Sequence, residues 1–99
     1  MVRPKKCRFV YAEPGVVYFK PRGVPLVELK EVALTVEEFE AVRLSDLKGM
    51  EQKRVAKKMG VSQPTLHRLL ASAHKKIADA LVSGKAIRIE GGTYSVKKR

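Results

Sequence analysis

The sequence predicts a mainly helical fold: a helix-turn-helix domain with a capped support helix, a long second motif helix and short β-hairpins at its N- and C-terminal ends. Three observations predict it. Residues 52–71 read QKRVAKKMGVSQPTLHRLLA, with apolar residues at helical spacing on both sides of a glycine. Thr35-Val36-Glu37-Glu38 has the form of a capping box, which marks a helix start. Residues 8–19 and 86–96 are rich in β-branched and aromatic residues, and Pro-Gly and Gly-Gly pairs interrupt them.

The chain has 99 residues, enough for one domain over 1–99 with one modest core. Three Tyr, three Phe and no Trp mean that this core must be mostly aliphatic. The formal net charge is +11, from 21 basic and 10 acidic residues. Such an excess on a small domain is a footprint for a polyanion, with nucleic acid ahead of an anionic membrane surface. A membrane partner is not expected: it would call for a basic amphipathic helix with bulky apolar residues opposite or a long apolar run, and there is no apolar run of that length. The start, Met1-Val2-Arg3-Pro4-Lys5-Lys6, does not lead into a signal-peptide core, so a cytoplasmic location is expected. The single Cys7 excludes an intramolecular disulfide.

Residues 1–6 form a basic arm. Arg3, Lys5 and Lys6 carry charge that can follow a phosphate backbone or enter a minor groove, and a solvated terminus is the plain alternative. Arg8–Tyr11 and Val16–Phe19 read as strands around Pro14-Gly15, a first hairpin that holds Phe9, Tyr11, Tyr18 and Phe19 as aromatic partners for Phe39. Pro21, Gly23 and Pro25 mark a loop. A helical turn at Leu26–Glu31 and an extended Val32–Leu34 follow. Thr35 caps a support helix from Val36 to about Leu47, stopped by Gly49, with Val36, Phe39 and Leu47 at the centre of its inner face and Val42 and Leu44 beside it. Residues 35–49 carry four acids and two bases, whereas 50–85 carry eight bases and two acids. Charge is thus sorted by element, and the support helix can face away from a polyanion.

The motif comes next, within a helical core over 35–83. Val55, Ala56 and Met59 form one face of its first helix, and small Ala56 suits two helices crossing closely. Gly60 supplies the sharp turn and Val61 plugs it. Ser62 caps the second helix, whose inner face is Leu66, Leu69 and Leu70. No stop signal appears before Gly84, so this helix should run to about Val82, with Ile77, Ala78 and Leu81 continuing its stripe. Ala86–Glu90 alternates at period two, Gly91-Gly92 turns, and Thr93–Val96 returns as a second hairpin, which can act as a wing or pair with the first hairpin. Lys97-Lys98-Arg99 is a basic tail.

In a helix-turn-helix the first residues of the second helix meet base edges. Here the outward ones are Gln63, Pro64, His67 and Arg68, with Thr65 beside them. Gln63 can pair with adenine and Arg68 with guanine, Pro64 can touch a thymine methyl, and His67 can donate to base or phosphate. Lys53, Arg54, Lys57, Ser62, Lys75 and Lys76 are phosphate candidates. Cys7, His67 and His74 lack the paired spacing of a metal site. The acids gather where a helix dipole accounts for them, and there is no phosphate loop or nucleophile elbow. No enzyme activity, cofactor, metal or small-molecule ligand is expected.

The chain resembles the UPF0251 (DUF134) family of small prokaryotic proteins through RPKKCR at 3–8, YFKPRGVPL at 18–26, LTVEEFEAVRLSDLKG at 34–49, the motif at 52–71 and ADALVSGKAIRIEGG at 78–92. Residues 34–71 are also similar, more generally, to region 4 of sigma factors. The resemblance implies a DNA-binding protein and a transcriptional regulator. Some members of that family append a domain similar to dinitrogenase iron-molybdenum cofactor proteins, a domain absent from these 99 residues. The expectation is therefore sequence-specific binding of double-stranded DNA, with a homodimer as one way to extend a short code. The alternatives are an RNA-binding or ribosome-associated protein and a protein-interaction module for an acidic partner.

Overall fold

The computed structural model describes residues 8–97. The basic arm 1–6, Cys7, and Lys98 and Arg99 of the tail lie outside it. Five short strands and three helices follow one another as β1 (Arg8–Val10), β2 (Tyr18–Phe19), β3 (Glu31–Leu34), α1 (Val36–Val42), α2 (Gln52–Met59), α3 (Gln63–Ser83), β4 (Ala86–Ile89) and β5 (Tyr94–Val96). A 3₁₀ turn at Leu26–Glu28 precedes β3, and a π-helical turn, Arg43–Leu47, prolongs α1. The mainly helical architecture with small sheets is the one expected.

The expected hairpins do not form. β1 pairs in parallel with β5, Arg8 opposite Tyr94 and Val10 opposite Val96. β2 runs antiparallel to β4, which also takes β3 in parallel, so the second sheet has the order β2-β4-β3. The first two strands are therefore paired with the last two, the contact between hairpins that the sequence left open. The reason lies at Gly91 and Gly92, both at positive φ (81° and 97°). They do not close a hairpin; they carry the chain over the start of α1. The Val36 amide donates to the Gly91 carbonyl (3.2 Å) and the Thr93 amide to the Glu37 carboxylate (2.6 Å). β5 is thereby turned away from β4 and towards β1. On the other side, Val10 is fully buried with Leu34, Val36 and Ile89, a site that a hairpin with residues 16–19 would not supply.

α1 begins as expected. Thr35 Oγ1 accepts from the Glu38 amide (3.1 Å) and the Glu38 carboxylate accepts from the Thr35 amide (2.9 Å). Its inner face departs from the expectation at Leu47, which is 78% exposed while Leu44 is buried. The π-helical turn is the cause: the Lys48 amide reaches back to the Arg43 carbonyl (2.9 Å), which rotates the last residues out of register.

Two apolar clusters make up the core. One is centred on Leu44, Val55, Ala56, Met59, Leu66 and Leu70, the other on Val10, Leu34, Val36, Ala73 and Ile89, and Val42 touches both. α3 is the shared wall. Its buried line runs Leu66, Leu70, Ala73, Ala80, with Ile77 half-buried; Leu81 (77% exposed) and Ala78 fall outside it. Helical phase explains Ala78, about 120° from the centre of that line, while Leu81 lies at its edge and is exposed in the last turn of the helix. Nor do the early aromatics collect around Phe39. Phe9 packs on Gly60, the Tyr11 hydroxyl donates to the Lys58 carbonyl (3.1 Å), and only Phe19 shares a groove with Phe39.

Candidate nucleic-acid interface

α2 and α3 are joined by Gly60-Val61-Ser62. Gly60 sits at φ 71°, in the left-handed region, and the Val61 amide donates to the Ala56 carbonyl (3.0 Å). A side chain at Gly60 would also crowd Phe9, whose ring lies 3.0 Å from the position of a Cβ. Val61 is half-buried against the first cluster. Ser62 Oγ accepts from the Thr65 amide (3.2 Å), capping α3, and its hydroxyl donates to Thr65 Oγ1 (2.9 Å). Pro64 occupies the first turn, where a missing amide proton costs little. Val55, Ala56 and Met59 are buried against Leu66 and Leu70.

That packing decides which residues look outward. Gln63, Pro64, His67 and Arg68 are exposed together on the first two turns of α3, and Thr65 is half-buried beside them. Arg68 Nη2 donates to Thr65 Oγ1 at 3.3 Å, so Ser62, Thr65 and Arg68 form one short chain. His67 Nε2 lies 2.7 Å from Gln52 Oε1, at the start of α2. Gln52 escaped sequence reasoning. It stands fifteen positions before His67, and no local period links the two; only the crossing of α2 over α3 does.

The cations divide. Lys53, Arg54 and Lys57 are exposed on α2 and form no ion pair among the described residues; Lys75 is exposed on α3 in the same way. Lys76 does not extend this surface. Its Nζ is 2.7 Å from the Glu38 carboxylate, which is buried. Ser62, another phosphate candidate, has its hydroxyl proton engaged by Thr65. Lys58 lies over the Tyr11 ring, 4.6 Å from its centre, and with Arg43 and Lys48 borders a cavity of about 420 Å³ that sequence reasoning also missed. Arg3, Lys5 and Lys6 lie outside the described residues.

The acids of α1 do more than complement a dipole. Glu37, Glu38 and Glu40 are all buried. Glu37 pairs with Arg8 and accepts from the Thr93 amide. Glu38 holds Lys76. Glu40 accepts from Arg43 Nε (2.7 Å) and from the Tyr11 amide (2.7 Å). Burial pushes the Glu38 carboxyl up, but hydrogen bonds from Lys76, Ser72 and the Thr35 amide, with the lysine's charge, outweigh it and hold the group below the ordinary carboxylate range. Three acids are thus consumed as internal ties, and α2 shows cations to solvent.

His74 pairs with Asp46 (2.7 Å) and His67 with Gln52, and among the described residues no three His, Cys, Asp or Glu gather closely enough to hold a metal ion. Among the same residues, no helix is long and apolar enough to cross a membrane.

Comparison with known proteins adds a family. A family described as "Protein of unknown function DUF134" matches residues 1–97. A UPF0251 protein of Thermoanaerobacter pseudethanolicus is 60% identical over 96 residues, covering 97% of this chain and 81% of that protein. One of Caldanaerobacter subterraneus is 62% identical with the same coverage, and one of Dehalococcoides mccartyi is 52% identical over 99 residues, 100% of this chain and 85% of the relative. No solved structure matches the chain significantly.

Proposed function

The chain belongs to the DUF134 (UPF0251) family, and from that premise and the interface above we propose that it is a sequence-specific double-stranded DNA-binding protein that acts as a transcriptional regulator. In this reading α2, the Gly60 turn and α3 are a helix-turn-helix, and α3 is the recognition helix. One observation carries it: Gln63, Pro64, His67 and Arg68 are exposed together at the start of α3, while Lys53, Arg54 and Lys57 of α2 are exposed and form no ion pair among the described residues. In such motifs the second helix enters the major groove by its N-terminal end while the first crosses the backbone.

The roles follow from side-chain chemistry. The Arg68 fork offers two parallel donors to guanine, and the Gln63 amide matches the donor-acceptor pair of adenine. Pro64 gives apolar contact. Thr65 stands beside these base readers, and its hydroxyl oxygen steadies Arg68. Lys53, Arg54 and Lys57 neutralise phosphates, which fixes position without specifying sequence. One short helix reads few base pairs, so two copies on a two-fold site would extend the code.

Selection of a random duplex library at two salt concentrations, followed by sequencing, tests the proposal. Charge alone gives binding that falls steeply with salt and enriches nothing. A motif that survives the higher salt supports base reading, and symmetry in it reports a dimer. Enrichment of nothing, with structured RNA outcompeting duplex, would move the protein to the RNA-binding class; absence of nucleic-acid binding even at low salt would move it to an acidic protein partner.

A further inference from the structure

The contact between His67 and Gln52 has a chemical consequence for recognition. A neutral imidazole carries one donor and one acceptor, and an unanchored ring exchanges them between its two nitrogens. Such a ring accepts either kind of base edge. Here the ring is anchored. Nε2 lies 2.7 Å from Gln52 Oε1; with the amide turned to present its oxygen, which only accepts, the arrangement calls for the hydrogen of the neutral ring on Nε2. Nδ1 is left as a bare acceptor, with no hydrogen bond among the described residues.

Gln52 is well placed to hold the ring. It is the first residue of α2, and its predecessor, Glu51, stands at the N-cap without a side-chain capping bond. The Gln52 amide is not spent on its own helix either; it crosses to α3. The backbones at the two ends of the contact are fixed by buried neighbours, Val55 and Ala56 one turn along α2 and Leu66 and Leu70 flanking His67 on α3.

We propose that Gln52, although it lies outside the recognition helix, is a specificity-determining residue: it fixes His67 as the Nε2–H tautomer, so that Nδ1 selects a base edge presenting a donor, the exocyclic amino group of adenine or cytosine. In the major groove those amino groups are the donors, whereas guanine N7 and O6 and thymine O4 are acceptors that would face the Nδ1 lone pair unfavourably. This rests on the reading of α3 as a recognition helix, which the same experiment tests separately.

The experiment is library selection at pH 7.5 with the full chain, His67→Ala, Gln52→Ala and Gln52→Met. His67→Ala marks the position that His67 reads, as the one where an adenine or cytosine preference disappears. Gln52→Ala should erase the same preference, roughly three- to tenfold as for one hydrogen bond, and leave every other position of the motif intact. Gln52→Met, which keeps the length and apolar stem but cannot accept, should match it. If the Gln52 variants keep the preference that His67→Ala loses, or if the position marked by His67 prefers guanine or thymine, the tautomer assignment is overturned while base reading stands. If the unmodified chain enriches no motif, the recognition-helix reading falls and this inference falls with it. A Gln52 that merely stabilised the fold would lower binding to all sequences alike, which also overturns the proposal.

Discussion

Lys76 Nζ lies 2.7 Å from the carboxylate of Glu38, tying the middle of α3 to the first turn of α1. Its neighbour Lys75 has no such partner among the described residues and stands in solvent. Two adjacent lysines that look equivalent in sequence therefore have different work. Lys76→Ala strands a buried carboxylate and should cost about 1–3 kcal/mol of stability, measured by urea unfolding. Lys75→Ala should stay within about 0.5 kcal/mol of the parent. If Lys75 touches a phosphate, its loss should instead reduce the salt dependence of DNA binding by about one ion.

The same pair sets an acid limit. The Glu38 carboxyl is held below its ordinary value of 4.5, so its share of stability is fully present above that value and is lost as pH falls through the lower, folded one. The unfolded chain takes up the proton first, and stability must decline with acidification in that window. Unfolding free energy should therefore change little from pH 7 to about 6 on this account and drop below pH 4.5. Glu38→Gln should be less stable at neutral pH yet lose less on acidification. A parallel decline in both proteins would deny Glu38 this part.

Gly60 carries two constraints at once. Its φ of 71° is a conformation that L side chains adopt at a cost, and the Phe9 ring lies 3.0 Å from where a Cβ would stand, tight enough that the ring must give way. Gly60→Ala should destabilise by about 1–3 kcal/mol. Phe9→Leu in the same background should return only the part due to the contact. Additive losses in the double variant would mean that Phe9 can move aside without penalty.

What sequence could and could not disclose follows from the range of the forces involved. Helix starts and stops are local: Thr35 and Glu38, Gly60, Ser62 and Gly84 each satisfy backbone groups within a turn of themselves, and all appear where the spacing places them. Strand pairing is not local. Gly91-Gly92 looks like a hairpin turn until Glu37 and Val36, more than fifty residues earlier, capture the adjoining backbone. The candidate site divides likewise. The exposure of Gln63, His67 and Arg68 follows from the helical phase set by Leu66 and Leu70. Gln52 as partner of His67, and Glu38 as partner of Lys76, depend on how helices cross, and no periodicity encodes that.

Arg68 supplies the sharpest test of base reading. Its guanidinium leans on Thr65 Oγ1 (3.3 Å), and the Thr65 hydroxyl is in turn held by Ser62 (2.9 Å), so the fork is steadied in the free protein. A steadied fork loses less side-chain freedom on binding, which favours a directional contact to guanine over a diffuse one to phosphate. Arg68→Ala should therefore remove about 1–3 kcal/mol of discrimination at one base pair and leave the salt slope nearly unchanged. Lys57→Ala should do the reverse, weakening binding to all sequences alike and lowering the salt slope by about 0.9. Thr65→Val, which keeps the shape but not the acceptor, should give an intermediate loss at the base pair that Arg68 reads and nowhere else. Measured by competition of single-base operator variants at two salt concentrations, these three profiles differ in kind. A uniform loss for Arg68→Ala, with a reduced slope, would place its charge on the backbone and leave base reading to Gln63 and His67.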